Sequence, residues 1–466
     1  MPSNEAIESE LRAAEDGARE QPDGTEDDGT VNRAISPETI SYIMYRRQFI
    51  GRTAAAGTGI GLAGCTADDG IEDVEAADTN TQNGNDTDSR SDEPEPKGGD
   101  GRPYTHYELD VHDERSMGHP VWVDRDGRVY GRSSPRVLVS DDWWETTEVL
   151  YSFEEKGTTD EYVQMVIVPD SGRIIAAIGG RGETGGKVEL IDEDLSGSET
   201  VYQFDYGRMS NEFGHAVYGD IVVIATYGLS DFDANRHANE VILSTDGGRS
   251  FELVLEPELV TEDAANHHVH DVEYDPYAER IWVAVGDHGN SQIYWSDDLG
   301  DSWKELDERG AVTMITQIAA FEDCIAFGTD GVPEGIIRWE RDGPDDEPDG
   351  VGDLVRPHVR IETDPDDDVM ELYARRRWHV REDDGRELCL MPFGYSTMHE
   401  TASDSVVLAS VNGDEWYELH RTETREILLS NVMGPPSMDG DRRTLISDSF
   451  QAEGYQIDAT VPKFWE

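Results

Sequence analysis

The chain has 466 residues, 36% of them apolar, which suffices for one large buried core or two ordinary ones. It carries 101 acidic against 38 basic residues, a net charge of −63, and only five of the basic residues are lysine. Such a surface is typical of proteins that work in molar salt, where the Debye length is about 3 Å and self-repulsion is screened. It excludes a general nucleic-acid binder, which needs a basic stripe, and adsorption to anionic membranes.

Residues 44–65 have the features of an export signal. They run MYRRQFIGRTAAAGTGIGLAGC, with Arg46 and Arg47 ahead of a weakly apolar stretch that ends at Cys65. The apolar run is about half of the ~20 residues that a transmembrane helix needs. The segment resembles a twin-arginine signal with a lipobox, of the halophilic archaeal type. This resemblance implies export by the twin-arginine route, lipidation of Cys65 and anchoring to the outer face of the cell membrane.

Two polar segments flank this signal. Residues 1–43 form an acidic extension, and we hypothesise that they are not translated and that Met44 is the true start. A precursor whose intact mass begins at Met1 would refute this. Residues 66–103 are rich in Asp, Glu, Asn, Thr and Gly and predict a disordered acidic tether. The compact domain is therefore expected over residues 104–466.

Within this domain, short apolar or alternating runs are separated by Asp/Gly turns. Examples are YVQMVIVP, RIIAAIG, IVVIATYG, RIWVAVG and SVVLAS. Sustained helical periodicity is nearly missing from the sequence, so the pattern predicts an all-β domain.

One turn motif recurs at a fixed spacing. Ser244 and Ser296 open similar segments 52 residues apart, and the same interval leads back to Asp192 and then to Ser140. A looser copy begins at Ser410. Repeats of about 50 residues with about four strands each are typical of a β-propeller.

These copies resemble the Asp-box, or bacterial-neuraminidase repeat, of sialidase-like and sortilin-like propellers. The complete matches are Ser244, Asp246, Gly248, Ser250 and Phe251, and Ser296, Asp298, Gly300, Ser302 and Trp303. The copy at Ser140 departs from the pattern, with Trp144 in the place of glycine. The aspartates are expected to accept backbone hydrogen bonds within their own turns, which makes them structural. Calcium-loop spacing is not met between Asp297 and Asp301.

The repeats predict seven blades, over residues 118–153, 160–205, 213–256, 267–308, 312–362, 370–421 and 424–461. Residues 106–111 are expected to supply the outer strand of the last blade. Six blades are the alternative if residues 340–384 are an insertion.

Several predicted innermost strands begin with histidine, which suggests a ligand site at one end of the channel. Nearby loops add further polar residues. The candidate ligand-binding residues are His119, His215, Arg236, His268, His270 and His288. The cofactor stays open, with a divalent metal on His268, His270 and His288 as one alternative and hydrogen bonds between blades as the other.

The function classes left open are a binding propeller, a glycoside hydrolase and a protein-interaction scaffold. Glycoside hydrolysis needs two carboxyl groups about 5 to 10 Å apart. The candidates are Asp271, Asp287, Asp330 and Glu400. An arginine triad of the sialidase kind is not assignable. We therefore expect an exported, lipid-anchored propeller that binds carbohydrate, a metal-assisted polar ligand or a cell-surface protein.

Three further expectations concern single features. Arg375, Arg376 and Arg377, beside the acidic segment 364–368, predict a solvated, salt-bridged face. Cys324 and Cys389 fall in apolar strands and are expected to be buried free thiols. We expect a monomer, with no nucleic-acid partner and with membrane attachment only through a lipid on Cys65.

Overall fold

A computed structural model describes residues 109–112, 118–133, 135–153, 162–179, 185–204, 208–209, 214–227, 239–258, 268–286, 288–310, 313–329, 335–355, 372–374, 376–381, 385–395, 405–422, 429–433, 445–449 and 452–459. All of them lie in the compact unit Thr81–Glu466. The signal with Cys65, the extension 1–43 and the tether 66–103 lie outside the described residues and stay predictions.

The first four sheets follow one another along the chain. Sheet 1 contains β2 (His119–Val123), β3 (Val129–Ser133), β4 (Arg136–Ser140) and β5 (Glu148–Ser152). Sheet 2 contains β6 (Tyr162–Ile167), β7 (Ile174–Gly179), β8 (Lys187–Ile191) and β9 (Ser198–Gln203). Sheet 3 contains β10 (Arg208–Met209), β11 (His215–Tyr218), β12 (Ile221–Tyr227), β13 (Val241–Ser244) and β14 (Glu252–Leu255). Sheet 4 contains β15 (Val269–Asp275), β16 (Arg280–Val285), β17 (Gln292–Ser296) and β18 (Lys304–Glu305).

The remaining described strands form three more sheets. Sheet 5 contains β19 (Ile315–Ala320), β20 (Cys324–Thr329), β21 (Ile336–Glu340) and β22 (Leu354–Val355). Sheet 6 contains β23 (Leu372–Ala374), β24 (Trp378–Arg381), β25 (Glu387–Tyr395), β26 (Ser405–Ser410) and β27 (Tyr417–Thr422). Sheet 7 contains β28 (Leu429–Met433), β29 (Leu445–Ser449), β30 (Ala452–Ala459) and β1 (Leu109–His112). Short 3-10 turns lie at His288–Asn290 and Val351–Asp353.

Inner strands such as β6, β16 and β20 are nearly continuous apolar runs because neighbouring sheets bury both of their faces. In β16, Ile281, Val283 and Val285 pack in the core shared with sheet 3. The alternate residues Trp282 and Ala284 pack in the core shared with sheet 5. A strand with two buried faces loses the polar alternation of a surface strand.

The sheets close into a ring. The described strands are antiparallel throughout, and the early strands of each sheet contact those of the next, ending with β28 against β2. Strand β1 pairs with β30, so the start of the domain completes sheet 7, as predicted. The fold is an all-β propeller, and this prediction is confirmed. The number of blades stays a prediction, because sheets are counted over the described residues alone. The described strand residues of the disputed stretch 340–384 belong to sheets 5 and 6.

The Asp-box turn between β17 and β18 is closed by its own side chains. Ser296 Oγ lies 2.8 Å from Asp298 Oδ1 and accepts the backbone N–H of Gly300 at 2.8 Å. Asp298 accepts the N–H of Ser302 at 2.8 Å and its hydroxyl at 2.6 Å. Trp303 donates its indole N–H to the carbonyl of Val254 in sheet 3 at 2.7 Å. These carboxylates are structural, as the motif predicts.

The turn between β13 and β14 repeats this network. Ser244, Asp246, Gly248 and Ser250 hold the equivalent hydrogen bonds, and Phe251 packs against the core of sheet 2. Burial alone would raise the pKa of Asp246, but hydrogen bonds from the Ser250 and Ser244 hydroxyls outweigh it and lower the pKa. The carboxylate is therefore held ionised by its own turn.

The copy at Ser140 is more complete than its sequence suggested. Ser140 and Asp142 make the same hydrogen bonds, with Thr146 as the closing hydroxyl residue. Trp144 occupies the glycine position with φ 70° and donates its backbone N–H to Ser140 Oγ at 2.8 Å. Its ring lies over Gly131, where a Cβ atom would be 2.1 Å from the indole. A buried aromatic ring therefore accompanies the left-handed backbone here.

The other two copies depart further, as predicted. The turn after Asp192 is held by a backbone bond from Asp192 N to Gly197 O at 3.0 Å. In the turn after Ser410, Asn412 replaces the aspartate, and Gly413 donates its N–H to Ser410 Oγ at 2.8 Å. All five turns join the last two strands of their sheets.

Replacement of Gly300 by alanine is expected to destabilise the domain by about 2–4 kcal/mol. Gly300 has φ 93°, and a Cβ there would lie 2.6 Å from Val254 Cβ, which cannot move without its backbone. Gly219→Ala is the matched control, because Gly219 has φ 59° and open space around it. The control should cost about 1 kcal/mol in denaturant unfolding at constant salt. Equal losses for the two variants would contradict the packing argument.

The two cysteines among the described residues, Cys324 and Cys389, are buried free thiols, as predicted. Cys324 and Cys389 belong to the core shared by sheets 5 and 6. Burial raises the pKa of Cys324 to about 12 and raises that of Cys389 as well. The thiols are therefore packing groups at neutral pH. Within the described ranges, no helix has the length and apolar character that a membrane span requires.

Candidate functional site

A cavity of about 390 Å³ lies in the central channel. Its walls come from innermost strands and from the turns that follow them. The lining residues that matter for its chemistry are Trp122, Asp124, Arg125, Asp170, His215, Tyr218, Asp271, Glu273, Arg376, Arg377, Trp378, His379 and Arg381. The walls thus combine aromatic rings with four arginines and four carboxylates.

The cavity lies toward the Asp-box end of the channel. Its rim includes Arg125 and Asp170, from the first turns of sheets 1 and 2, whose side chains are 2.7 Å apart. Asp170 N donates to Gly219 O at 3.1 Å, and Asp220 O in the same turn accepts from Gly247 of an Asp-box at 3.0 Å. The candidate residues Arg236 and His288 belong to the connections between β12 and β13 and between β16 and β17. These connections start from the opposite ends of the strands.

Irregular inner strands help to direct polar side chains into the channel. The register of β15 shifts between Val269 and Asp271, and that of β19 shifts between Ile315 and Gln317. In sheet 6 the inner strand is interrupted before Arg377, between β23 and β24. A bulge re-aims the side chains beside it. These three irregularities place Asp271, Gln317 and Arg377 in contact around the axis.

Arg377 joins the carboxylates of sheet 4. Its side chain is 9% exposed, lies 2.7 Å from Asp271 Oδ2 and pairs with Glu273. Its backbone N–H donates to Gln317 Oε1 at 2.8 Å. Asp271 also accepts the N–H of Ile318 at 2.6 Å. The predicted solvated face for this arginine run is therefore wrong for Arg377, which is buried because the strand interruption turns it inward.

A second cluster continues from this one. Arg381 lies 2.9 Å from Glu273 Oε1 and 3.6 Å from Glu387 Oε2. Glu387 accepts hydrogen bonds from Tyr277 and His379, the latter at 2.9 Å. Burial, together with the Arg381 charge, lowers the pKa of His379 well below its ordinary value. His379 is therefore neutral, while burial raises the pKa of Glu387.

Asp271→Asn is expected to change how stability depends on pH. Complete burial raises the pKa of Asp271 to about 7, against the attraction of Arg377. Between about pH 4 and pH 7 the folded protein then binds more protons at this site than the unfolded chain, so stability falls as pH rises. The wild type should lose about 1 kcal/mol per pH unit there relative to the variant, by denaturant unfolding at fixed salt. Parallel curves would show that Asp271 has an ordinary pKa.

His268 and His270 contact each other. Their Nε2 atoms are 2.9 Å apart, and His270 Nδ1 lies 2.8 Å from the carbonyl oxygen of Ile315. A carbonyl only accepts, so His270 Nδ1 carries hydrogen, and in the neutral pair His268 Nε2 is the donor. The ring of Tyr227 lies edge-on to His268 at 4.4 Å. The pair thus links sheets 3, 4 and 5.

The other predicted site residues divide into described and undescribed ones. His215 is buried and lines the cavity, with its ring 6.0 Å from that of Trp122. His119 lies half-buried at the start of β2. Arg236, Asp287, Asp330, Glu400 and the side chain of His288 lie outside the described part of the chain. The structure therefore joins His215 and Asp271 in one cavity and His268 with His270 in a contact.

The predicted metal site includes His288, whose side chain lies outside the described residues, together with His268 and His270. Among the side chains that the structure describes, no group of three or more potential ligands has the geometry to hold a metal ion. The set of His268, His270 and His288 stays a prediction.

The residues that sequence reasoning missed are Arg377, Arg381 and Glu387, because strand interruption and pairing between sheets leave no local motif.

No family model matches this chain. No curated protein matches it either. Solved structures with a similar chain path include YCF48 from Cyanidioschyzon merolae, at 10% identity and a TM-score of 0.44 over 75% of this chain and 98% of that one. A sialidase named Hadza microbial sialidase Hz136 matches at 12% identity and a TM-score of 0.41, over 72% of this chain and 74% of that one. A chain of a mitotic checkpoint complex matches at 8% identity and 0.44, over 81% and 98%. At these scores the likenesses carry no argument about activity.

Proposed function

We propose that this protein is an exported, lipid-anchored cell-surface β-propeller that binds a polar ligand, a carbohydrate, in its central channel. The observation that carries the proposal is the channel cavity, where Trp122 and Trp378 stand beside a dense set of hydrogen-bonding groups. Its volume of about 390 Å³ lies in the range of small-molecule sites. Aromatic rings offer apolar faces to sugar C–H groups, and charged side chains bind hydroxyls.

Binding is tested by calorimetric titration of the full chain in molar salt with glucose, galactose, cellobiose and maltose. We expect at least one of these sugars to bind, and Trp378→Ala to weaken that binding by about tenfold or more. Leu299→Ala is the control, because Leu299 is exposed on an Asp-box turn and does not line the cavity. Binding that persists unchanged in Trp378→Ala would place the ligand elsewhere.

The cellular localisation is a separate part of the proposal. Cells that express the wild-type chain should hold it in the membrane fraction, through a lipid on Cys65. Cys65→Ala should release it to the medium, and Arg46→Lys with Arg47→Lys should retain it in the cytoplasm. Release of the wild-type protein without detergent would contradict the lipid anchor.

Glycoside hydrolysis is the second candidate, and Asp271 favours it. This carboxyl group lines the cavity, and its pKa of about 7 keeps a large protonated fraction at neutral pH, as a general acid requires. Glu273 is two residues away on the same strand and lines the same cavity. Release of reducing sugar from the bound oligosaccharide, lost in both Asp271→Asn and Glu273→Gln, would identify an enzyme. Intact oligosaccharide after prolonged incubation would leave a binding protein.

A further inference from the structure

Above the pKa of Asp271, the fixed charges of the channel cavity compensate one another, in contrast to the surrounding protein. The chain as a whole has a net charge of −63. The cavity lining has four arginines, Arg125, Arg376, Arg377 and Arg381, and four carboxylates, Asp124, Asp170, Asp271 and Glu273. Of the two histidines in the lining, His379 is held neutral by burial and the Arg381 charge, which lower its pKa.

Direct ion pairs account for most of this compensation. Arg125 pairs with Asp170 at the rim, Arg377 with Asp271 and Glu273, and Arg381 with Glu273 and Glu387. The deeper pairs are well shielded, since the side chains of Arg377, Asp271 and Glu273 are each at most 9% exposed.

We infer that the ligand is a neutral sugar or polyol, without a carboxylate or an amine. This inference rests on the proposed function, since it names the class of carbohydrate that the same cavity takes. An incoming carboxylate would have to compete with Asp271 and Glu273 for Arg377 and leave a buried charge unpaired, which is strongly unfavourable. An amine would compete with the arginines for Glu273 in the same way. A hydroxyl group adds hydrogen bonds to paired ions without separating them.

The screening of charges by molar salt also favours a neutral ligand. In molar salt, attraction between a ligand charge and a rim charge such as that of Arg125 is screened within about 3 Å. Arg125 is 77% exposed and Asp170 39%, so neither offers a shielded contact to an ion. Stacking on Trp122 or Trp378 and hydrogen bonding inside the cavity persist under these conditions. Affinity for the ligand is therefore nearly independent of salt concentration.

The test uses sugars that differ in one functional group. Glucose, glucuronate and 6-amino-6-deoxyglucose, and likewise galactose and galacturonate, are titrated into the full chain at about pH 8, where Asp271 is ionised, and at two molar salt concentrations. We expect the neutral sugar to bind about tenfold or more tighter than its charged partners, with a less than about twofold change in Kd between salts.

The outcomes separate the two proposals. Tightest binding by a uronate or an amino sugar, or a steep loss of neutral-sugar affinity with salt, would overturn the inference and leave a carbohydrate-binding cavity. Failure of every sugar to bind, charged or neutral, would overturn the proposed function and the inference together. Glucose or galactose affinity that is lost in Trp378→Ala and retained in Leu299→Ala would support both.

Discussion

Replacement of Arg341 by methionine is expected to lower the free energy of unfolding by about 3–5 kcal/mol. Arg341 is 1% exposed and pairs with Asp275, which is fully buried. Its guanidinium also donates to the backbone oxygen of Glu322 at 2.7 Å and to that of Phe321. Without the Arg341 guanidinium, the Asp275 carboxylate and these carbonyls stay buried and lose their cationic hydrogen-bond donor. Asp275 still accepts the N–H of Tyr277 at 3.0 Å, which is too little to replace a charge.

Chemical denaturation at fixed molar salt measures this loss. Arg125→Met is the matched control, because Arg125 makes an ion pair with Asp170 on the surface, and this substitution should change stability by less than about 1 kcal/mol. The double variant Arg341→Met with Asp275→Asn should recover much of the loss, since it removes the unpaired charge. A single variant as stable as the wild type would show that Asp275 is not buried with Arg341.

Restoring the motif glycine at position 144 is expected to destabilise the domain by about 2–4 kcal/mol. Sequence comparison with the other turns would predict the opposite, because glycine suits a φ of 70°. Trp144 is 1% exposed, however, and packs with Val129 and Leu138 in one apolar cluster. Loss of a buried tryptophan costs about 3–5 kcal/mol, and relief of the left-handed backbone returns about 1 kcal/mol.

Leu299→Gly provides the control for Trp144→Gly. Leu299 has φ 55° in the turn at Ser296 and is 37% exposed, so its replacement relieves backbone strain with little loss of packing. We expect that variant to be as stable as the wild type or up to about 1 kcal/mol more stable. Thermal and denaturant unfolding of both variants decide the matter. A Trp144→Gly protein that is more stable than the wild type would mean that the indole contributes little.

The architecture was predictable because its signals are local and repeated. The Ser244 and Ser296 turns carry their hydrogen-bonding partners within seven residues, so the sequence alone indicates their geometry. The 52-residue interval between them reports the size of one sheet and its connections. The pairing of strand β1 with β30 was also predictable, because the last repeat lacked an outer strand.

The site was predictable only in part. His215 and Asp271 were expected near the channel because they lie on innermost strands, and both line the cavity. Two preceding arginines and an acidic segment predict a surface position for Arg377, because this pattern is typical of solvated faces. Its actual position depends on the interruption between β23 and β24 and on carboxylates about 100 residues away. Neither the strand interruption nor the distant carboxylates leave a local sequence pattern, so the buried position of Arg377 cannot be predicted from a single sequence.

The position of bound sugar in a crystal of the full chain, grown in molar salt with the tightest-binding neutral saccharide, tests the channel proposal most directly. We predict density in the cavity, between Trp122 and Trp378 and within hydrogen-bonding distance of Arg381 or Glu273. Density at the other end of the channel, beside His268 and His270, with the cavity filled only by water, would contradict it.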